Sequence, residues 1–129
     1  MIGVDTNVLV RYLVQDDPAQ SRRATAFFER EQDESFFLSS VVLCETVWVL
    51  SFAYRYRRGR IAAVLRQILR TSQFEVEEPE SARRALDLYE QGQGDFANFV
   101  ILERCHTAGC DTVATFDRKL QRSAGFSSP

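Results

Sequence analysis

The spacing of apolar positions changes repeatedly along the chain, and each change marks an element. "MIGVD" is a short apolar run ending in an acid, and "TNVLVRYLV" then takes up helical spacing. "QDDPAQSRRATAFFERE" carries a helix start, Asp17 followed by Pro18 at the first position, with Ala24, Phe27 and Phe28 as its apolar face. "SFFLSS" reads as a buried strand and "VVLCETVWVL" as the helix after it. In "RRGRIAAVLRQILRT", Ile61, Val64, Leu65 and Ile68 recur at helical spacing. "FEVEE" alternates like a strand. "PESARRALDLYEQ" is a helix closed near Gly92, and "DFANFVILERCHTAGC" a helix ended by Gly109. "DTVATFD" predicts a last strand and "DRKLQRSAG" a short last helix. Strands alternating with helices predict an α/β fold with a parallel sheet covered on both faces. No repeat, linker or low-complexity segment interrupts residues 1–129, so a single domain is expected, with a frayed tail over 124–129.

One carboxylate interrupts this pattern. At 100° per residue, Glu45 shares a helical face with Val41, Val42, Trp48, Val49 and Phe52. If that face is buried, an unpaired carboxylate there costs several kcal/mol or more and must meet an opposite charge. Either an arginine from another helix or a bound cation has to supply it.

Composition narrows the classes. The 45% apolar and 26% charged content is that of an ordinary globular chain, and the net charge of −2 announces no polyanion partner. The average hides an uneven distribution: Arg55, Arg57, Arg58, Arg60, Arg66 and Arg70 crowd into a segment without a single acid. Cys44, Cys105 and Cys110 cannot all pair, and "MIGVDTNVLV" has no basic region leading an apolar one. No apolar run approaches the roughly 20 residues needed to span a bilayer. A cytoplasmic, thiol-reduced setting is therefore expected. His106 is the only histidine, which removes most imidazole-based hydrolytic schemes.

Ligands of open parallel α/β sheets bind at the carboxyl ends of the strands. Asp5 falls where the first strand ends and Asp117 where the last one ends. Asp95 opens a helix, and Glu45 lies about one turn into the helix after the second strand. Four acids distant in sequence are thus expected on one edge of the sheet. Gathered carboxylates repel one another unless a cation intervenes. Hard oxygen donors without histidine suit Mg²⁺ or Mn²⁺, either of which can activate a water for phosphodiester hydrolysis. Each aspartate also reads as a helix N-cap, and the two roles are compatible, since a capping carboxylate has a second oxygen.

With these residues in view, the chain resembles the PIN-domain ribonucleases, in particular the VapC-type toxins of bacterial toxin–antitoxin pairs. The resemblance rests on "VDTNVLVRYLVQDDPAQ", "SSVVLCETVWVL", "GDFANFVILERC" and "TVATFDRKL", in that order and covering nearly the whole chain. It implies a three-layer α/β/α sandwich, Mg²⁺- or Mn²⁺-dependent cleavage of RNA, an antitoxin partner and a homodimer built on the first helices. Asp5, Glu45 and Asp117 match the family's acids, while Asn7 and Thr115 match polar neighbours that orient the acids or a water. In many relatives the third motif reads Asp-Phe-Ala-Asp. Here its second acid is Asn98, and Asp95, one helical turn away, is left to take the role.

Arg55, Arg57, Arg58 and Arg60, with Tyr54 and Tyr56 beside them, then become candidate contacts for RNA phosphates or for an acidic partner. A solvated helix face explains them as well. Asn98 also keeps open a PIN-like module that binds RNA or protein without cutting. A haloacid dehalogenase-type phosphatase would need a second aspartate where Asn7 stands. "GQGDFA" matches a dinucleotide fingerprint but follows a helix, not the strand such a motif requires.

Overall fold

A computed structural model describes residues 1–129 and shows the expected alternation. Strand β1 (Ile2–Gly3) leads into helices α1 (Thr6–Val14) and α2 (Pro18–Arg30). Strand β2 (Phe36–Leu38) leads into α3 (Ser40–Phe52) and α4 (Arg58–Arg70). Strand β3 (Phe74–Val76) precedes α5 (Pro79–Glu90) and α6 (Phe96–Thr107). Strand β4 (Val113–Ala114) precedes α7 (Arg118–Gln121) and β5 (Phe126–Ser127). Every pairing is parallel, and the architecture is a three-layer α/β arrangement. No helix is long and apolar enough to cross a membrane.

Helix boundaries follow the local chemistry. The Asp17 carboxylate accepts from the Gln20 N–H at 3.0 Å and Pro18 opens α2, since a missing N–H costs nothing in a first turn. Gly109, at φ +92°, provides the left-handed turn that stops α6. One cluster of 22 buried residues forms the core, including Leu9, Phe28, Phe36, Leu50, Ile61, Leu86 and Phe99. Phe28 and Phe36 meet edge-on with centroids 4.8 Å apart, joining α2 to the sheet.

Two features differ from expectation. The strands form two ladders, β1–β2–β3 and β4–β5, with no backbone bond from β1 to β4. Both of those strands are only two residues long, and β1 gives way at once to the cap of α1. The tail is not frayed: it forms β5, with Val113 opposite Phe126 and Ala114 opposite Ser127. Phe126 is buried against Phe99, ring centroids 6.3 Å apart, and burying such a ring is worth about 1.5–3 kcal/mol. That gain outweighs the tendency of a chain end to fray.

One polar network joins the sheet to two of the helices. Glu77, just after β3, accepts from the Ser40 N–H at 2.9 Å and from Arg104 of α6 at 2.5 Å. Arg104 also donates to the Ser40 hydroxyl at 2.9 Å. The Ser40 N–H is one of the unpaired donors of the first turn of α3, so Glu77 caps that helix from another element. This N–H, and secondarily Arg104, hold the Glu77 carboxyl below its ordinary 4.5. A carboxyl depressed in the folded state stabilises above its unfolded pKa, and that contribution is lost as pH falls through the folded value. Glu77→Gln is therefore expected to lower stability at neutral pH by on the order of 1 kcal/mol. The gap to the parent should close as pH drops below about 4.5. Thermal melts of both proteins across that range check it; a gap independent of pH would contradict the assignment.

Candidate active site

Asp5 follows β1 in extended backbone (φ −83°, ψ 157°), and its Oδ1 accepts from the Thr6 N–H at 2.8 Å. Thr6, nearly buried at the first position of α1, donates its hydroxyl to Glu45 Oε1 at 2.9 Å. A single residue therefore bonds to two acids that are 40 positions apart in sequence. Its hydroxyl fixes where the Glu45 carboxylate points.

Glu45 itself corrects the sequence reading. Its carboxylate is exposed and needs no buried counter-charge. The face it shares carries Val41, Trp48 and Phe52, which are 66%, 62% and 68% exposed. The core receives the opposite face, through Leu43, Thr46, Val47 and Leu50, together with Val42 at the margin of the Glu45 face. Helix α3 is apolar on both sides, so hydrophobicity alone does not tell which side is inside.

Asp117 caps α7, its Oδ1 accepting from the N–H groups of Lys119 and Leu120 at 2.9 and 3.3 Å. Thr115 braces it from behind, its hydroxyl accepting from the Asp117 N–H at 3.1 Å. Asp95 stands at the N-cap of α6, where Asn98 Oδ1 accepts from the Asp95 N–H at 2.9 Å. The loop before it is pressed against α7: a Cβ on Gly94 would lie 2.7 Å from Leu120 Cδ2, the third residue after Asp117. The Asp95 loop thus touches α7 through Gly94 and Leu120, while Asp5 and Glu45 are joined through Thr6 where α1 meets α3. Helix α3 in turn packs on α6.

Arg58 also has a structural role. Its guanidinium donates to the carbonyls of Tyr89 and Gly94 at 2.9 and 2.7 Å and lies over the Tyr89 ring, 4.4 Å from the centroid. Through Nη1 it ties the Asp95 loop to the end of α5. Arg60 lies 3.7 Å over the Tyr56 ring, while Arg55 and Arg57 are exposed. The Tyr54 hydroxyl is taken up by Asp16, to which it donates at 2.7 Å, and by Arg11 at 2.9 Å.

Three of the four acids are helix N-caps, where the helix dipole favours negative charge. The Oδ2 atoms of Asp5 and Asp117 accept no hydrogen bond within the chain. No three Asp, Glu, His or Cys side chains stand close enough to enclose an ion as they lie. The donor set itself is all carboxylate oxygen, the chemistry that hard divalent cations take. Thr6 was not identified from sequence, and Arg58 was named only as a candidate contact for RNA or a partner, not as the tie to the Asp95 loop. Thr6 lay inside the quoted "VDTN" but signals nothing until Glu45 is found beside it.

The model of the PIN domain family matches residues 2–125, a span holding all four acids. The chain belongs to the PIN-domain family. Among curated proteins, this PIN domain is 28% identical over 121 residues to a VapC ribonuclease of Aquifex aeolicus (strain VF5). That match covers 92% of this chain and 89% of the relative. No solved structure matches significantly. For a PIN domain, the departure at Asn98 now has a local description: the amide holds the Asp95 backbone, as a carboxylate there would also do.

Proposed function

We propose that this PIN domain is a metal-dependent endoribonuclease, the toxin of a toxin–antitoxin pair. The observation that carries the reading is the Thr6 hydroxyl bonded to Glu45 while the Thr6 N–H is bonded to Asp5. It supports a site in which acids from separate elements are aimed together, and the VapC ribonuclease relative supports its chemistry.

Asp5, Glu45, Asp95 and Asp117 are the residues that would hold Mg²⁺ or Mn²⁺. When bound, the ion supplies activation of a water and neutralisation of charge on the leaving oxygen of the phosphodiester. Thr6 keeps Glu45 turned toward Asp5, and Thr115 braces the backbone of Asp117. Asn98 anchors the backbone of Asp95, and Asn7 stands next to Thr6 at the start of α1. The uncapped oxygens of Asp5 and Asp117 are available without breaking either cap. RNA is the substrate and an antitoxin the regulatory partner, with the cytoplasm as the setting. A homodimer, expected on the first helices, would find an exposed apolar face on α3 instead, at Val41, Trp48 and Phe52. Arg55 and Arg57 are exposed for RNA or the antitoxin. One observation favours a second reading, a PIN module that binds without cutting: Asn98 removes a negative charge from beside Asp95.

Calorimetric titration with Mn²⁺, run beside Asp5→Asn, tests the site. Binding by the parent, weakened at least about tenfold in the variant, is expected. Equal binding by both proteins would remove Asp5 from the site. Binding followed by cleavage of a labelled RNA supports the enzyme; binding with no cleavage supports the second reading.

A further inference from the structure

A groove of about 540 Å³ runs between α1 and α2 and is distinct from the acids themselves. Its lining includes Asn7 and Arg11 from α1, and Arg23, Phe27 and Arg30 from α2, with no acid among the lining residues. Ala24 and Ala26 also line it, and their small side chains leave the space open.

Its three arginines differ in how firmly they are held. Arg11 donates to Gln20 at 2.6 Å and to Asp16 at 3.0 Å, and the Tyr54 hydroxyl accepts from it at 2.9 Å, so its guanidinium is fixed before any ligand arrives. Arg30 lies over the Phe27 ring, 5.9 Å from the centroid, with Glu31 3.1 Å away. The carboxylate partners, Asp16 and Glu31, lie outside the lining, and exposed pairs of this kind are weak and screened by solvent. A phosphate can share or displace them. Arg23 makes neither a hydrogen bond nor an ion pair within the chain, although it is exposed in the middle of α2. Arg23 and Arg30 are seven residues apart, about 10 Å along the helix.

The end of the groove at Asn7 decides what should lie in it. Asn7 adjoins Thr6, whose hydroxyl holds Glu45 and whose N–H meets Asp5. Asn7 lies in the first turn of α1, whose N-cap is Asp5, so a polyanion in the groove passes the end of the helix that carries that acid. We infer that the α1–α2 groove receives the phosphate backbone of single-stranded RNA next to the scissile bond, with Arg11, Arg23 and Arg30 as its contacts. This inference rests on the ribonuclease reading and adds the path of the substrate. An acidic protein segment has similar charge, but the continuity with Thr6 and the acids favours the nucleic acid.

Fluorescence anisotropy of a labelled oligouridylate of about a dozen nucleotides, in EDTA so that nothing is cut, tests the path. Arg23→Glu should bind at least about tenfold more weakly than the parent at low salt. Arg23→Gln should reduce the slope of log K against log salt by about 0.7, the value for one phosphate contact on a single strand. Arg70→Glu, at the end of α4, should bind like the parent and controls for overall charge. Because Arg23 is exposed and unbonded, circular dichroism of its variants should match the parent. Equal weakening by Arg23→Glu and Arg70→Glu would overturn the inference, as would no weakening by either. So would oligoglutamate binding that depends on Arg23 beside RNA binding that does not. A cleavage assay of the parent in Mn²⁺ separates the two readings. Cleavage with Arg23-independent RNA binding refutes only the groove, whereas Arg23-dependent binding without cleavage refutes only the enzyme.

Discussion

Glu45→Gln is expected to fold as the parent does and to lose RNA cleavage by about two orders of magnitude or more. The carboxylate is exposed, and substitutions at such positions change stability by about 0.5 kcal/mol or less. The amide keeps the volume and an oxygen that can accept from Thr6, so the rotamer has a reason to persist. What disappears is the negative charge, which a hard cation needs and a hydrogen bond does not. Thr6→Val is the companion variant: it keeps the charge and removes the hydroxyl that aims it, with an expected loss of about 10–100-fold. Measuring kcat/KM on a labelled RNA together with the melting temperature separates the two effects. Parental cleavage by Glu45→Gln would place Glu45 outside the reaction altogether.

The second large effect is a gain. Asn98→Asp is expected to tighten Mn²⁺ binding about tenfold and to raise the cleavage rate with it. Asn98 accepts the Asp95 N–H through Oδ1, and a carboxylate can take over that bond without moving the backbone. The added charge lies in the first turn of α6, where the helix dipole stabilises it by about 0.3–1 kcal/mol. The variant should thus be at least as stable as the parent while offering one more hard ligand beside Asp95. Calorimetry and cleavage on the same preparation check both halves. Unchanged Mn²⁺ affinity would mean that the first turn of α6 does not face the ion.

Part of the candidate site was legible in the sequence. Acids at strand ends and helix starts announce themselves, because a cap needs Asp and a sheet edge needs a loop. Asp5, Asp95 and Asp117 all lie at such junctions in the structure. The same logic located α2 from Asp17-Pro18 and the end of α6 from Gly109. Glu45 is different. A helix with valine, tryptophan and leucine around its whole circumference has no periodicity that tells inside from outside, so burial of its carboxylate was inferred and is absent. Arg58 was unreadable for another reason. Its partners are the backbone carbonyls of Tyr89 and Gly94, and a carbonyl acceptor leaves no residue type behind to signal it. The α1–α2 groove likewise depends on the spacing between helices, which no local pattern encodes.

Strand β5 has a consequence for where the chain can be shortened. The strand that precedes Asp117 is two residues long, and its ladder partner is Phe126–Ser127. Asp117 keeps its local bonds to Thr115 and to the first turn of α7, but the strand before it has no other ladder. A deletion that stops short of Phe126 would leave all four candidate acids in the sequence while removing that ladder and the buried Phe126 ring.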